Sequence, residues 1–179
     1  MLGAESSGTK LLTELLVKGG CHGSYEHFQE FDLWKFENAE KIVWRRSYPH
    51  GTDHHWPDLE LDLLKPLHAH GYHSIEALVI MRDWYTVSKS QIYEQQHAPD
   101  LEHALENISY AYRRIFKQIH ETEIPYLIVT YEALIHYGEK VARPLLKKLG
   151  LNHEAVLPTF DSNKDHKYFD QPVVAPARK

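Results

Sequence analysis

Residues 3–10, GAESSGTK, have the residue types and the spacing of a phosphate-binding loop. Gly3 and Gly8 let the backbone curl so that successive N–H groups point inward, and a helix beginning near residue 9 would add its positive end. The remaining donors of the segment are three hydroxyls and one cation: Ser6, Ser7, Thr9 and Lys10. The stretch therefore indicates an anion site, although a Ser/Gly turn that caps a helix has the same composition.

The order of two residues separates this segment from an ATP-binding loop. That loop reads G-x-x-x-x-G-K-[ST], with the lysine directly after the second glycine and the next hydroxyl on Mg²⁺. Here Thr9 and Lys10 stand in the opposite order. The order favours a different anion site over a magnesium–ATP site.

A second set of anion-binding residue types follows the apolar run 75–81, IEALVIM. Arg82 comes directly after this run, and Ser90 lies on the next helical pattern. In open α/β sheets, ligands bind beyond the carboxyl ends of the strands, where an arginine can fork onto phosphate oxygens. We therefore predict that Arg82 and Ser90 hold a phosphate. The alternative is an arginine paired with a local acid and a serine on a helix surface.

Alternating apolar patterns predict the elements that position these residues. A helix with leucines along one face, at 11, 12, 15 and 16, is predicted directly after the loop, and Gly19 and Gly20 end it. The other predicted elements are strands at 41–48, 75–81 and 125–131, the last two buried, and helices at 57–71 (bent near Pro66), 84–95, 99–121 and 139–149. Strands separated by helices predict an α/β fold, a three-layer P-loop-type parallel sheet flanked by helices.

We expect residues 1–179 to form a single domain, with residues 152–179 as a tail that wraps its surface. Only Met1 and Leu2 precede Gly3, so the first strand is expected to be very short or the chain to begin late. The first residues have neither the basic nor the apolar region of a secretory signal.

Composition limits the partners. The 179 residues are 42% hydrophobic and 25% charged, as in ordinary globular proteins, and the net charge of −5 argues against nucleic acid as a partner. No apolar run approaches the roughly 20 residues of a membrane span. The single Cys21 suits a reducing compartment. We therefore expect a cytoplasmic protein with no membrane partner, and the oligomeric state stays open.

Three segments together resemble the sulfotransferase family that uses 3′-phosphoadenosine 5′-phosphosulfate (PAPS). Residues 7–10, SGTK, match the core of its 5′-phosphosulfate loop, and Arg82 with Ser90 matches its 3′-phosphate motif. Residues 127–151, which begin LIVTYEALI and end LLKKLGL, are similar to its late block around a Y-E-D-L-like sequence. The matches occur in family order over most of the chain.

The resemblance implies a compact sulfotransferase-like fold. It also implies PAPS as the donor, its desulfonated form PAP as the product, and no metal. Tyr131 would lie near the adenine. The donor site implied in this way consists of Ser6, Ser7, Gly8, Thr9, Lys10, Arg82 and Ser90.

In-line transfer of a sulfuryl group to a hydroxyl or amine is the implied reaction, and the acceptor is a glycan or a small molecule. Many relatives carry a basic residue where this chain has Ser6, so we assign the leaving-group charge to Lys10. Glu26, in a segment similar to E-x-H-F-F-D, and His50, in the segment VWRRSYPHG, are the two candidate bases. Glu26 is slightly favoured.

Two other functions stay open. A small-molecule or nucleoside kinase of the P-loop class would need Mg-ATP. A nucleotide-binding protein that has lost catalysis would explain why Ser6 stands where a basic residue is usual.

The histidines at 54, 55, 68 and 70 could bind metal, but no cysteine or carboxylate lies at a suitable spacing from them, which favours surface or capping histidines. Lys164 and Lys167 could reach the 3′-phosphate or simply be solvated.

Overall fold

The computed structural model describes residues 1–23, 39–48 and 64–158 of the chain. Its strands are β1 (Leu2–Ala4), β2 (Arg46–Tyr48), β3 (Ala77–Met81) and β4 (Tyr126–Thr130). Its helices are α1 (Thr9–Lys18), α2 (Leu64–Ala69), α3 (Trp84–Tyr93), α4 (Leu101–Thr122), α5 (Tyr131–Tyr137) and α6 (Glu139–Lys148).

The four strands form one parallel sheet in the order β2-β1-β3-β4. Leu2 of β1 is in register with Arg46 on one side and Val79 on the other. The predicted α/β fold with a parallel sheet flanked by helices is confirmed. Because all strands run the same way, the residues that follow β1, β3 and β4 meet at one edge of the sheet.

Helices cover both faces of the sheet. One core joins β1 and β3 to α3 and α4, and its buried members include Val79, Val87, Ile108 and Ile115. The other core joins β3 and β4 to α1, α5 and α6, and its buried members include Leu12, Leu15, Ile80, Leu134 and Leu146. Side chains alternate between the two faces along β3, which explains why its apolar run is nearly continuous.

The strand predicted at 41–48 is shorter in the structure, where β2 begins only at Arg46. Upstream of β2, Ile42 makes an isolated bridge to His22, and the backbone N–H of Val43 donates to His22 O at 2.9 Å. The Trp44 carbonyl accepts from the amino group of Met1 at 2.6 Å. This segment is therefore held by separate backbone hydrogen bonds and not by a continuous strand ladder. Of the predicted helix 57–71, the described part is α2, which ends at Ala69, and Gly71 shortly after it has a φ of 84°.

The prediction that 125–131 is a buried strand is wrong. The strand β4 lies at one end of the sheet order, and Tyr126 and Ile128 are 49% and 51% exposed. Both residues face the α4 side, where the ring of Phe116 reaches Tyr126 with its centroid 6.0 Å away. Tyr131 does not belong to the strand, since it begins α5, a helix that the apolar pattern did not indicate.

Candidate functional site

Three short connections meet at the carboxyl edge of the sheet. Residues 5–8 join β1 to α1, residues 82–83 join β3 to α3, and β4 passes directly into α5 at Tyr131. β1 and β3 are neighbours in the sheet, so the first two connections lie side by side. The residues singled out in the sequence are carried on these connections and on the first turns of the helices that follow.

The backbone of the 5–8 loop is tightly turned. The N–H of Ser7 donates to the carbonyl of Ala4 at 3.0 Å, and both Ser6 and Gly8 have positive φ angles, 68° and 96°. A positive φ is uncommon for a residue other than glycine and costs on the order of 1 kcal/mol or more. The loop therefore stores strain that its surroundings must hold.

Gly8 is required by close approach as well as by its φ angle. A Cβ at this position would lie 2.3 Å from Cδ2 of Tyr131, which is 5% exposed. Real Cβ atoms essentially never approach so closely. Tyr131 therefore packs directly on the loop. Its predicted role beside an adenine stays a prediction.

Arg82 links the connection after β3 to the loop after β1 by a hydrogen bond. Its Nη1 donates to the carbonyl of Ser6 at 2.7 Å, and its guanidinium carbon lies 4.2 Å from the centre of the Tyr131 ring. Stacking of a guanidinium on an aromatic face is a favourable cation–π contact. The structure thus brings Arg82, Ser6 and Tyr131 together from three different connections.

Ser90 reaches the same loop from α3. Its hydroxyl donates to Ser6 Oγ at 2.8 Å and lies 3.2 Å from Glu94 Oε2, and the residue is only 2% exposed. Both members of the proposed 3′-phosphate pair therefore contact Ser6, one at its carbonyl and one at its hydroxyl.

The remaining loop residues differ in where their side chains lie. The Ser7 hydroxyl faces inward: the residue is fully buried, and a Cβ added at Gly3 would be 2.5 Å from its Oγ. Thr9 Oγ1 lies 2.8 Å from Ser47 Oγ of β2, whereas Lys10 is exposed on the first turn of α1. The structure thus leaves the Lys10 side chain open to a ligand and turns the Ser7 hydroxyl away from one.

The amino end of α1 begins without a side-chain cap. Its N-cap residue is Gly8, and the first intrahelical bond runs from Leu12 N to Gly8 O at 3.1 Å. The backbone N–H groups of residues 8–11 precede that bond, so they belong to the unsatisfied donors that every helix start presents. Amides in this position are the usual anion-binding groups of a strand–loop–helix unit.

One pair that the sequence analysis missed lies on the loop. Glu5 Oε2 lies 2.7 Å from Nδ1 of His97, which comes from the segment between α3 and α4. Burial raises the pKa of the Glu5 carboxyl to about 7, while the charges of Arg45 and Lys10 act to lower it. The only sequence signal was an acidic residue placed directly after a buried strand.

The two bases predicted from the sequence, Glu26 and His50, lie outside the described residues, as do His54, His55, Lys164 and Lys167. His68 and His70 are described. Nδ1 of His68 lies 3.0 Å from the Tyr72 carbonyl, and its ring stacks on His73 with centroids 5.4 Å apart. Within residues 1–23, 39–48 and 64–158, no group of three or more histidine, cysteine or acidic side chains could hold a metal ion.

A cavity of about 370 Å³ lies at the opposite, amino edge of the sheet. Met1, Trp44 and Ile75 are among the residues that line it, and all three precede or begin their strands. The loop after β1 is not part of its wall. In the described part of the chain, no helix is long and apolar enough to cross a bilayer.

The chain was compared with protein-family models, with curated proteins and with solved structures, and nothing matches it in any of the three.

Proposed function

We propose that this protein is a PAPS-dependent sulfotransferase with a compact P-loop-type fold. The observation that carries the proposal is the meeting of two anion-binding motifs on one residue. Ser6 of the 5–8 loop accepts from Arg82 at 2.7 Å and from Ser90 at 2.8 Å. A donor with phosphate groups at both the 5′ and the 3′ positions needs two adjacent sets of anion-binding groups.

The 5′-phosphosulfate would bind the loop after β1. Its charge would be met by the amides at the start of α1 and by Lys10, which is exposed on the first helical turn. The 3′-phosphate would bind Arg82 and Ser90. Both side chains hydrogen-bond to Ser6, so both lie at the loop after β1.

The reaction would be an in-line displacement at sulfur. As the bond between sulfur and the bridging oxygen breaks, negative charge develops on the 5′-phosphate of the leaving PAP. Lys10 is the cation we assign to that charge, because Ser6 occupies the position where the sulfotransferases that this chain resembles carry a basic residue. The proposed acceptor is a hydroxyl or amine of a glycan or a small molecule.

A nucleotide-binding protein without transfer activity is the second candidate, and Ser6 is the residue that favours it. Both candidates share the donor site, so they differ in turnover and not in PAP binding. A P-loop kinase would instead bind Mg-ATP.

Thermal unfolding with PAP, with 5′-AMP and with Mg-ATP tests the donor site. A ligand at about 100 times its dissociation constant should raise the unfolding free energy by about 2.7 kcal/mol. We expect PAP to stabilise the wild-type protein and not the Arg82→Ala variant. Arg113→Ala, which removes an exposed arginine of α4, is the matched control and should respond to PAP like the wild type. Stabilisation by Mg-ATP but not by PAP would contradict the proposal in favour of a kinase.

A further inference from the structure

We propose that Glu5 is the base that takes the acceptor's proton during sulfuryl transfer, with its carboxylate held by the imidazole of His97. This inference rests on the sulfotransferase function proposed above. It does not depend on Glu26 or His50, and it assigns catalysis to a residue of the loop itself.

Glu5 lies next to the residue that Arg82 and Ser90 contact. It is the first residue after β1, and the next residue, Ser6, accepts hydrogen bonds from both Arg82 and Ser90. The charge of Lys10 acts on the Glu5 carboxyl across the loop. The carboxyl group therefore lies at the same loop as the cation that we assign to the leaving group.

The two oxygens of Glu5 have different surroundings. Oε2 is buried and lies 2.7 Å from His97 Nδ1, while 16% of the Glu5 side chain is exposed. Because Oε2 is buried, that exposure lies on the rest of the side chain. His97 is itself 6% exposed, and its backbone N–H donates to the Gln91 carbonyl at 2.9 Å. Oε2 thus lies against the imidazole, and we assign the acceptor's proton to the other oxygen, Oε1.

The charge environment suits a base that works near neutral pH. The groups that act on Glu5 come from three elements: His97 from the segment before α4, Arg45 from the segment before β2, and Lys10 from α1. Burial is the largest influence and raises the pKa of Glu5 to about 7. A general base is most effective when its pKa lies close to the working pH.

The step balances without another reactant. The oxygen of the acceptor, or of water, bonds to the sulfur of PAPS as the bond from sulfur to the bridging oxygen breaks. The electron pair of that bond stays on the 5′-phosphate of PAP, and the acceptor's proton passes to Oε1 of Glu5. With water as the acceptor, the products are PAP and inorganic sulfate.

Release of inorganic sulfate from PAPS, with water as the acceptor, tests the assignment although the natural acceptor is not identified. The variants are Glu5→Gln and, as the matched control, Glu14→Gln, which changes a carboxylate of α1 that pairs with Lys18 at 3.0 Å. We expect Glu5→Gln to lower the rate by about 100-fold or more, in the range for loss of a general base. PAP affinity, measured by calorimetry, should stay within about threefold in both variants, and Glu14→Gln should turn over at the wild-type rate.

His97 variants distinguish a positioning role from a purely structural contact. If Glu5 is the base, the rate rises with pH through about 7 as its carboxyl ionises. His97→Leu removes the polar partner of the carboxylate, so the rise should move to higher pH, and His97→Asn, which keeps an N–H group, should restore part of the wild-type profile. A contact that only fastens the loop would lower thermal stability and leave the pH profile where it was.

The outcomes separate an error in the assignment of Glu5 from an error in the proposed function. Full turnover by Glu5→Gln overturns the assignment, and so does a wild-type protein that binds PAP yet releases no sulfate, although the donor site would then stand. Failure of the wild-type protein to bind PAP at all is the failure of the proposed function, and the calorimetric arm identifies it separately.

Discussion

The helices α1 and α3 begin at neighbouring places on the carboxyl edge of the sheet, yet only α3 has a side-chain cap at its amino end. α3 is capped by its own side chain: Asp83 Oδ1 accepts from both the backbone N–H and the hydroxyl of Thr86, each at 2.9 Å. α1 begins at Thr9 without a side-chain cap, because its N-cap residue is Gly8, and residues 5–8 before it contain two positive φ angles.

This difference is the one expected if the start of α1, and not the start of α3, binds an anion. A carboxylate cap satisfies the first amides of a helix and repels an incoming anion, so α3 is closed to phosphate at its amino end. The loop before α1 instead contains a strained residue, Ser6, and no side chain caps the first amides of the helix. Arg82 and Ser90 belong to the capped connection and its helix, but both extend their side chains to the uncapped one.

Gly8→Ala should give the largest loss of stability at this edge. Gly8 and Gly20 both have positive φ angles, 96° and 106°, but a Cβ at Gly8 meets Tyr131 at 2.3 Å whereas one at Gly20 meets nothing within 4 Å. Backbone strain alone costs about 1 kcal/mol, and the clash should bring the loss at Gly8 to about 3 kcal/mol. Chemical denaturation of the two variants measures the difference. Equal losses would mean that Tyr131 does not pack on the loop.

Glu5→Gln should raise stability above neutral pH while it lowers turnover. The folded state holds a proton on Glu5 up to about pH 7, whereas the unfolded state loses it near 4.5. Folded chains therefore bind more protons between these values, and the wild type loses stability as the pH rises through this window. Glutamine carries no charge, so the variant avoids the cost of ionising a buried carboxyl group. Its free energy of unfolding should exceed that of the wild type by about 2 kcal/mol at pH 8 and by little at pH 4.5.

The pH dependence of the difference between the two proteins is the informative quantity, because His97, Arg45 and Lys10 are present in both. Denaturant titrations at pH 4.5, 6, 7 and 8 measure it. A difference that is the same at every pH would show that folding does not raise the pKa of Glu5, and it would contradict the assignment of a base whose pKa lies near neutral pH.

Asp83→Ala should have the smallest effect of the three, about 1 kcal/mol of stability, the usual contribution of a side-chain cap. PAP affinity should be kept or increased, because a negative charge leaves the edge. Asp100→Ala, which removes the cap of α4 formed with the N–H of His103, is the control and should lower stability without changing PAP affinity. A strong loss of PAP binding in Asp83→Ala alone would mean that both helix starts serve the ligand.

The sequence predicted the parallel α/β sheet because buried parallel strands and amphipathic helices have distinct periods. It did not predict the exposure of β4, since an apolar run does not tell whether a strand lies at the edge of a sheet. Nor did it predict α5, because Thr130 passes into Tyr131 with no glycine, proline or loop to mark the change.

At the candidate site, the sequence indicated the loop and Arg82, which follow strands, and Ser90 on the next helix, because their residue types can bind anions. Their contacts with Ser6 require the sheet order that sets β1 beside β3. The inward turn of the Ser7 hydroxyl depends on the core beneath the loop, and the contact between Glu5 and His97 joins distant parts of the chain. Neither leaves a pattern in the sequence.

The most direct test of the donor site is a calorimetric cycle that combines the Arg82→Ala change with the loss of the 3′-phosphate. Binding of PAP and of 5′-AMP is measured for the wild-type and variant proteins. If Arg82 binds the 3′-phosphate, the variant should lose PAP affinity by at least about tenfold, as expected for a lost charge-assisted hydrogen bond, and keep its affinity for 5′-AMP. Equal losses for both ligands would contradict the account, because Arg82 would then act only by holding the Ser6 carbonyl.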